Sequence, residues 1–353
     1  MSEQAAGPVA DRLSTGRLLA YAAPTVALQA VLTPLYVFLP PVYYSAEVGL
    51  SVAMVTLAFF VGRFWEALVD PLVGALSDRT RSRFGRRRIW MLLGTPIVLV
   101  AAWFLLLPPQ GASFLHLVVW LAVFYAGWTM VYVPHQTWGG ELSEDYAERS
   151  RIAGFRESGA FLGFLCATVV GIVYWNFYRG IAAPSYAQIV MAVGVFFAVS
   201  LPIAVLWCFA RVPATAAAAH RTPGWGETLA ILRRNAPFRR LAGAYLIDRI
   251  AMGAYFAVQP ALISQALGIP DQVLVVALVN TVAAALLAFQ WVRIANALGK
   301  HRAYCLANGI TALAYLLLFV VPAGVAWPVL AVNVLMAFGN GDRKSTRLNS
   351  SHA

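Results

Sequence analysis

Some ten times along this chain, a run of apolar residues is long enough to cross a bilayer as a helix. The runs fall at 18–39, 51–76, 89–108, 114–138, 152–175, 187–210, 238–266, 272–298, 302–322 and 326–340. A spanning helix needs ~20 such residues. Of 353 residues, 60% are hydrophobic and 12% charged, whereas a soluble domain has roughly 45–50% and about 25%. A soluble domain, a disordered chain and a disulfide scaffold are excluded, and the expected fold class is an all-α polytopic membrane protein. The tenth run is short and is expected to stop at Gly339–Asn340–Gly341. The first follows a polar leader with Arg12 and Arg17 but is too long for a signal-peptide core, so it is read as a retained helix.

The loop charges set an expected orientation. Net charge is +11, and twenty of the 26 Lys and Arg residues fall on one side, against Arg179 alone on the other. This is the bias of cytoplasmic loops, so the N-terminus is expected in the cytoplasm and no nucleic-acid partner is implied. The expected organisation is a cytoplasmic tail (1–16), a six-helix bundle (17–210), a linker (211–237) and a four-span second bundle (238–341). The linker is marked by Ala214–Ala219, Pro223, Gly224 and Gly226, with a surface helix expected at 226–235. Cys166, Cys208 and Cys305 are odd in number and lack metal-ligand spacing, so neither a disulfide framework nor a metal set is expected.

From Asp342 to His352 the chain reads DRKSTRLNSSH, which resembles an in-frame translation of a sequencing adapter. Residues 342–353 are expected to be non-native, with the parent frame continuing. A natural basic tail is the alternative.

The second run holds Arg63, Glu66 and Asp70 at i, i+3 and i+7, one helical face. Each charge costs ~2.5–3.5 kcal/mol at a helix centre, so the three are expected to face a polar interior. Glu66 and Asp70 rise only ~6 Å apart along the axis, and two close carboxylates resist joint ionisation. A proton, a bound Na⁺ or Arg63 would relieve the repulsion. This is coupling-ion chemistry, and its alternative is an Arg–Glu–Asp network that locks helices together. Pro71 is expected to interrupt the helix beside Asp70 and free a carbonyl.

Other polar groups fall within the runs. The fourth ends in Tyr132, Pro134, His135, Gln136, Trp138, Gly139 and Gly140, suggesting a kinked or broken helix end whose side chains line a polar-substrate cavity. For His135 the alternative is a hydrogen-bonded structural residue. Gln29, Gln259 and Asn280 are further candidates for that cavity. Asp248 and Arg249 lie in the seventh run and read either as an inter-helix pair with a snorkelling arginine or as part of the permeation path.

The loop after the second run orders Gly74, Asp78, Arg79, Gly85 and Arg86 within an arginine-dense stretch. It reads as a charge latch between states, or else as a plain positive-inside loop. Together, RFWEALVDPLVGALSDRTRSRFGRRR (63–88) and VPHQTWGGELSEDYAERSRIAGFRE (133–157) resemble the major facilitator superfamily. The likeness is to its glycoside–pentoside–hexuronide:cation symporters, the melibiose-permease-like branch. The resemblance implies two six-helix bundles in the parent, of which about ten spans are present here. It implies cation binding at Glu66 and Asp70, with Na⁺ or H⁺ as coupling ion and no other cofactor. It also implies a conformational loop of Gly74, Asp78, Arg79, Gly85 and Arg86, joined by Glu141, Asp145, Glu148 and Arg149, with Arg156 reaching toward the cavity. The sugar-binding branch carries acids in the first span and before the proline of the fourth; this chain has none in the first and Tyr132–Val133 in the other. The stretch Gly299–Lys300–His301–Arg302 echoes Gly85–Arg88, as two related halves require.

The expected function is therefore cation-coupled symport of a small polar solute such as a sugar or glycoside. The expected protein is a monomer in a bacterial-type inner or plasma membrane. The alternatives are a lipid-like cargo on the same fold and a non-transporting scaffold. No HExxH, GxSxG or GxxxxGK motif occurs, so neither an enzyme nor an ATP-driven pump is expected.

Overall fold

A computed structural model describes residues 12–33, 47–178, 186–214, 262–269 and 272–349, with isolated positions between 35 and 45 and between 234 and 259. Residues 226–233 of the surface helix expected at 226–235, most of the linker, Asp248, Arg249 and residues 350–353 lie outside the described residues.

The described helices are α1 (Thr15–Thr33), α2 (Val52–Arg79), α3 (Arg86–Leu106), α4 (Phe114–Glu141), α5 (Tyr146–Tyr178) and α6 (Tyr186–Arg211). They are followed by α7 (Val273–Leu298), α8 (Lys300–Leu317) and α9 (Ala326–Asn349). A π-turn at Leu262–Ala266 precedes α7, and a 3₁₀ turn at Leu318–Val320 closes α8. Among the described residues six helical stretches are long and apolar enough to cross a membrane: Val52–Arg79, Arg86–Leu106, Phe114–Glu141, Glu148–Tyr174, Ala187–Arg211 and Arg302–Val320. Ala326–Gly339 is a shorter apolar helix. These agree with the hydropathy runs in order and position.

Two expected breaks do not occur, and the fourth-span end expected to be kinked or broken is unbroken. α2 continues through Pro71 and α4 through Pro134, as α1, α3 and α6 continue through their own prolines. Proline removes one backbone donor, and in a membrane helix neighbouring helices hold both flanks in line. On α2 those flanks carry Gly62, close against Tyr125 of α4, and Gly74, near Val133. The third case is α9, which does not stop at Gly339–Asn340–Gly341 but runs unbroken through Asn349. An interior glycine costs a helix only ~1 kcal/mol. Gly339 also sits so close to α8 that a Cβ there would meet the Thr311 hydroxyl at 2.2 Å.

The first bundle is assembled by close backbone approach. On α5, Gly159 and Gly163 face α1, where added Cβ atoms would lie 2.9 Å from the Ala22 carbonyl oxygen and 2.0 Å from that of Val26. Gly94 of α3 and Gly127 of α4 meet in the same way: a Cβ on Gly127 would reach the Val98 nitrogen at 2.6 Å. Lipid tails are as apolar as leucine, so small residues and tight contact, not water exclusion, hold such helices together. The interior so formed runs from Leu18 and Leu28 through Met91, Leu121 and Phe124 to Phe197 and Leu201. Large apolar side chains point outward, including Phe60, Trp103 and Ile203. In the second half, Val276 of α7 and Val329 of α9 share one core and Ala314 of α8 shares another with Met336 of α9.

Gly85, before α3, has φ 97 and ψ 143, and Gly299, before α8, has φ 80 and ψ 151. Both occupy a backbone region that side chains other than glycine rarely enter. The two basic loops therefore share a local conformation as well as a sequence pattern.

Candidate functional site

The face Arg63–Glu66–Asp70 of α2 lies against α4. The Arg63 Nη1 donates to Glu66 Oε2 at 2.5 Å, and the guanidinium stands 5.2 Å from the Tyr125 ring centroid. The Thr129 hydroxyl of α4 donates to Asp70 Oδ1 at 2.7 Å. Trp65 Nε1–H, next to Glu66 in the chain, donates to the Ala122 carbonyl at 3.0 Å, fixing the crossing there. The two carboxylates therefore have different partners, one a cation on its own helix and the other a hydroxyl on the next. These carboxylates and the Thr129 hydroxyl are hard oxygen donors of the type a small hard cation takes. Among the described residues no group of three or more His, Cys, Asp or Glu side chains is placed to hold a metal ion.

A second constellation lies deeper in the bundle. His135 is fully buried, with Nε2 2.7 Å from the Tyr21 carbonyl oxygen and its ring stacked on Tyr21 at 4.5 Å. The Tyr21 hydroxyl returns a bond to the His135 carbonyl at 3.1 Å. A Cβ on Gly139 would meet that hydroxyl at 1.9 Å, so a larger residue there has to push the Tyr21 ring aside. Trp138 is buried beneath the Arg88 guanidinium at 5.1 Å. Tyr132 stacks on Trp128 at 4.3 Å, Gln29 is half-buried, and Gln136 is exposed. Arg156 pairs with Glu157 at 2.8 Å and lies within electrostatic range of Tyr21 and Tyr132. The fourth-span candidates thus separate, with His135 and Trp138 packed into the core while Tyr132, Gln136, Gln29 and Arg156 stay partly or fully accessible. Asp248 lies outside the described residues.

The third constellation gathers at the arginine-rich ends of the helices. Arg87 of α3, with a side chain only 4% exposed, donates to Glu141 at the end of α4 from Nη2 at 2.7 Å and from Nε at 3.2 Å. It also donates to the Ser77 hydroxyl at 2.7 Å and to Asp78 at the end of α2. Arg86 adds a bond to Glu141 at 2.7 Å. Three helix ends are tied by one guanidinium and two carboxylates. Arg79 is exposed, and Gly85 supplies the turn that aims both arginines. Arg88 donates to the Val212 carbonyl and stands 5.7 Å from the Phe209 ring, bracing the end of α6.

The acidic loop residues serve a neighbouring junction. Asp145 caps α5, accepting from the Glu148 backbone N–H at 2.9 Å. Glu148 is buried and accepts from the Leu13 N–H at 3.1 Å, while Arg151 donates to the Leu13 carbonyl at 3.1 Å and to Glu148 at 3.2 Å. Arg149 turns back to the Glu144 carbonyl at 3.2 Å. Glu148 and Arg151 together clamp the entry to α1.

Sequence reading singled out Glu141, Asp78 and Arg86 but not Arg87, the group that joins them. It also missed Thr129, Tyr125 and Tyr21. One signal was available: a hydroxyl residue at 129 on the helix that carries the fourth-span candidates.

A bundle of apolar helices with charges on one face and a charge cluster at one end defines a polytopic membrane protein. The sequence profile of the MFS/sugar transport protein family matches residues 20–342, and the chain belongs to that family. It is an integral membrane protein.

Among curated proteins, an uncharacterized symporter of Synechocystis sp. is 31% identical over 173 residues, covering 46% of this chain and 32% of that protein. Sodium-dependent lysophosphatidylcholine symporter 1 of Mus musculus is 30% identical over 123 residues, covering 33% and 23%. Inner membrane symporter YicJ of Escherichia coli is 28% identical over 168 residues, covering 44% and 36%. The matches thus span about a third or less of these relatives' lengths. A solved bacterial homolog of the human lysosomal transporter Spinster superposes with TM-score 0.67 at 15% identity, covering 95% of this chain and 74% of that one. That likeness is one of fold.

Proposed function

We propose that the protein is a cation-coupled symporter that works by alternating access, with Glu66 and Asp70 as the cation site. The observation that carries this reading is the acidic pair on α2, set against α4 with Thr129 bonded to Asp70 and Arg63 bonded to Glu66. Three charges on one membrane face are costly, and exchangeable partners for two carboxylates give that cost a use. The arriving Na⁺ or proton takes the place of one partner, releasing either the Arg63 guanidinium or the Thr129 hydroxyl. Binding energy that differs between two conformations couples ion to substrate. At the arginine-rich end, the Arg87–Asp78–Glu141 cluster holds α2, α3 and α4 together in one state and opens in another.

The cargo is a small polar solute such as a sugar or glycoside, bound near Tyr132, Gln136, Gln29 and Arg156, with the N-terminus in the cytoplasm of a bacterial-type inner or plasma membrane. The protein acts as a monomer with no cofactor beyond its coupling ion, and it is not an enzyme. A lysophospholipid-type cargo is the second reading. It is favoured by α1, which carries no acidic residue to bind sugar hydroxyls, and by the named cargo of one relative.

The test is cation-dependent thermal stabilisation of the purified chain, followed in the wild type, Glu66→Gln and Asp70→Asn. The wild type should be stabilised by Na⁺ or by acid, and each variant should lose that response. An unchanged response in both variants would remove the site. Competition by glycosides or by lysophosphatidylcholine then separates the two cargo readings.

A further inference from the structure

α1 and α6 run side by side, and small residues on α1 leave a groove between them. Its volume is about 560 Å³, within the roughly 300–1,000 Å³ of small-molecule sites. Ala23 and Ala27 form the α1 wall, and Val195, Val199, Ile203 and Trp207 the α6 wall. Ser200 is the only hydroxyl residue among those lining it.

The α6 wall is an unbroken ridge at four-residue spacing, and each of its members is exposed, from 43% for Trp207 to 61% for Ile203. The ridge belongs to the spanning stretch Ala187–Arg211, so the groove is continuous with the lipid-facing surface. Water has almost no partners there, and apolar cavities stay dry; a hydrocarbon chain fits the walls.

The groove also has a direction. From Val195 to Trp207 is ~18 Å of helix, close to one leaflet of a hydrocarbon core about 30 Å thick. The next residue on the ridge is Arg211, exposed in the last turn of α6. It lies at the arginine-rich end, where Arg88 holds the Val212 carbonyl. Trp207, one turn inward, has the amphipathic ring that favours a membrane interface.

We propose that the α1–α6 groove binds one anionic diacyl phospholipid from the leaflet facing the arginine loops. One acyl chain lies between Ala23, Ala27, Val199 and Ile203, and the phosphodiester pairs with Arg211. The proposal depends only on the chain being integral to the membrane and is independent of symport, so cation-response assays and lipid assays can fail separately.

The test is native mass spectrometry of the full chain, purified in non-ionic detergent and equilibrated with phosphatidylglycerol or phosphatidylcholine of identical acyl chains. The wild type should retain one phosphatidylglycerol, favoured over phosphatidylcholine about fivefold, the attraction expected of one arginine near the surface. Arg211→Gln should abolish the preference yet keep chain-dependent retention. Ala27→Phe, which fills the groove from inside, should lose both lipids. Val199→Trp fills it from the exposed ridge and should do the same without straining the core. Equal retention of the two lipids by the wild type, or undiminished phosphatidylglycerol in Ala27→Phe and Val199→Trp, would overturn the proposal. Stoichiometric replacement by lysophosphatidylcholine at equal concentration would also overturn it, by assigning the groove to cargo.

Discussion

Arg87 of α3 meets Glu141 at the end of α4 at 2.7 Å while also gripping Asp78 and Ser77 of α2. A guanidinium with 4% exposure needs its carboxylates, because a buried charge left partly unpaired is more costly than the pair is favourable. Glu141→Gln is expected to destabilise the first bundle by about 1–3 kcal/mol, since Ser77 and Asp78 still hold Arg87. Asp78→Asn should cost less, its side chain being one-third exposed. Thermal unfolding of the two variants in detergent checks the order, and a larger loss in Asp78→Asn would contradict it.

Thr129 reaches Asp70 through a charge-assisted bond of 2.7 Å. Thr129→Val keeps the shape and removes the hydroxyl. Because the arriving ion takes the place of this hydroxyl, whose bond is worth ~1.5 kcal/mol, Thr129→Val should raise cation affinity about tenfold, whereas Thr129→Ser should keep the wild-type value. Sodium titration of the melting temperature reads both, and equal affinities for valine and serine would deny Thr129 a place in the site.

The α1–α5 crossing depends on Gly163, where a Cβ would meet the Val26 carbonyl oxygen at 2.0 Å. A backbone atom cannot step aside as a flexible side chain can. Gly163→Ala should therefore destabilise by about 1–3 kcal/mol. Gly154, earlier on α5, has nothing within 4 Å of an added Cβ. Gly154→Ala should be neutral or stabilising by up to ~1 kcal/mol. Melting curves of the pair, measured together, test whether close approach and not helix propensity governs α5.

In the second half Asn333 of α9 is a buried hub. Its Oδ1 accepts from the Tyr255 hydroxyl and from Gln259 Nε2, both at 3.1 Å, and its carbonyl accepts from Asn280 Nδ2 at 3.2 Å. Asn333→Leu takes one shared acceptor from two donors and is expected to cost about 1–3 kcal/mol. Asn280→Leu removes a single bond and should cost less. Unfolding measurements that reversed this order would show that the network does not centre on residue 333.

Hydropathy and charge count already contained the membrane class, the span order and the matched basic loops at Gly85 and Gly299. These features are local: a run of twenty apolar residues is a spanning helix whatever its neighbours, and a glycine before an arginine cluster sets its own turn. The acidic face of α2 was legible for the same reason, because i, i+3 and i+7 share a face on any helix.

Which residue answers which was settled only by packing. Successive residues on a helix point ~100° apart, so whether Arg86 or Arg87 becomes the hub depends on how α3 is rotated against α2 and α4. That rotation is fixed where Gly94 and Gly127 let the backbones of α3 and α4 close. In the same way Glu148 turned to Leu13, His135 to Tyr21 and Thr129 to Asp70. Pro71 and Pro134 left their helices unbroken because neighbouring helices hold the flanks. Local pattern set the elements and the gathering of basic residues in the same few loops. The tertiary structure decided the pairings, because a contact between helices depends on their mutual rotation and depth, which no local pattern records.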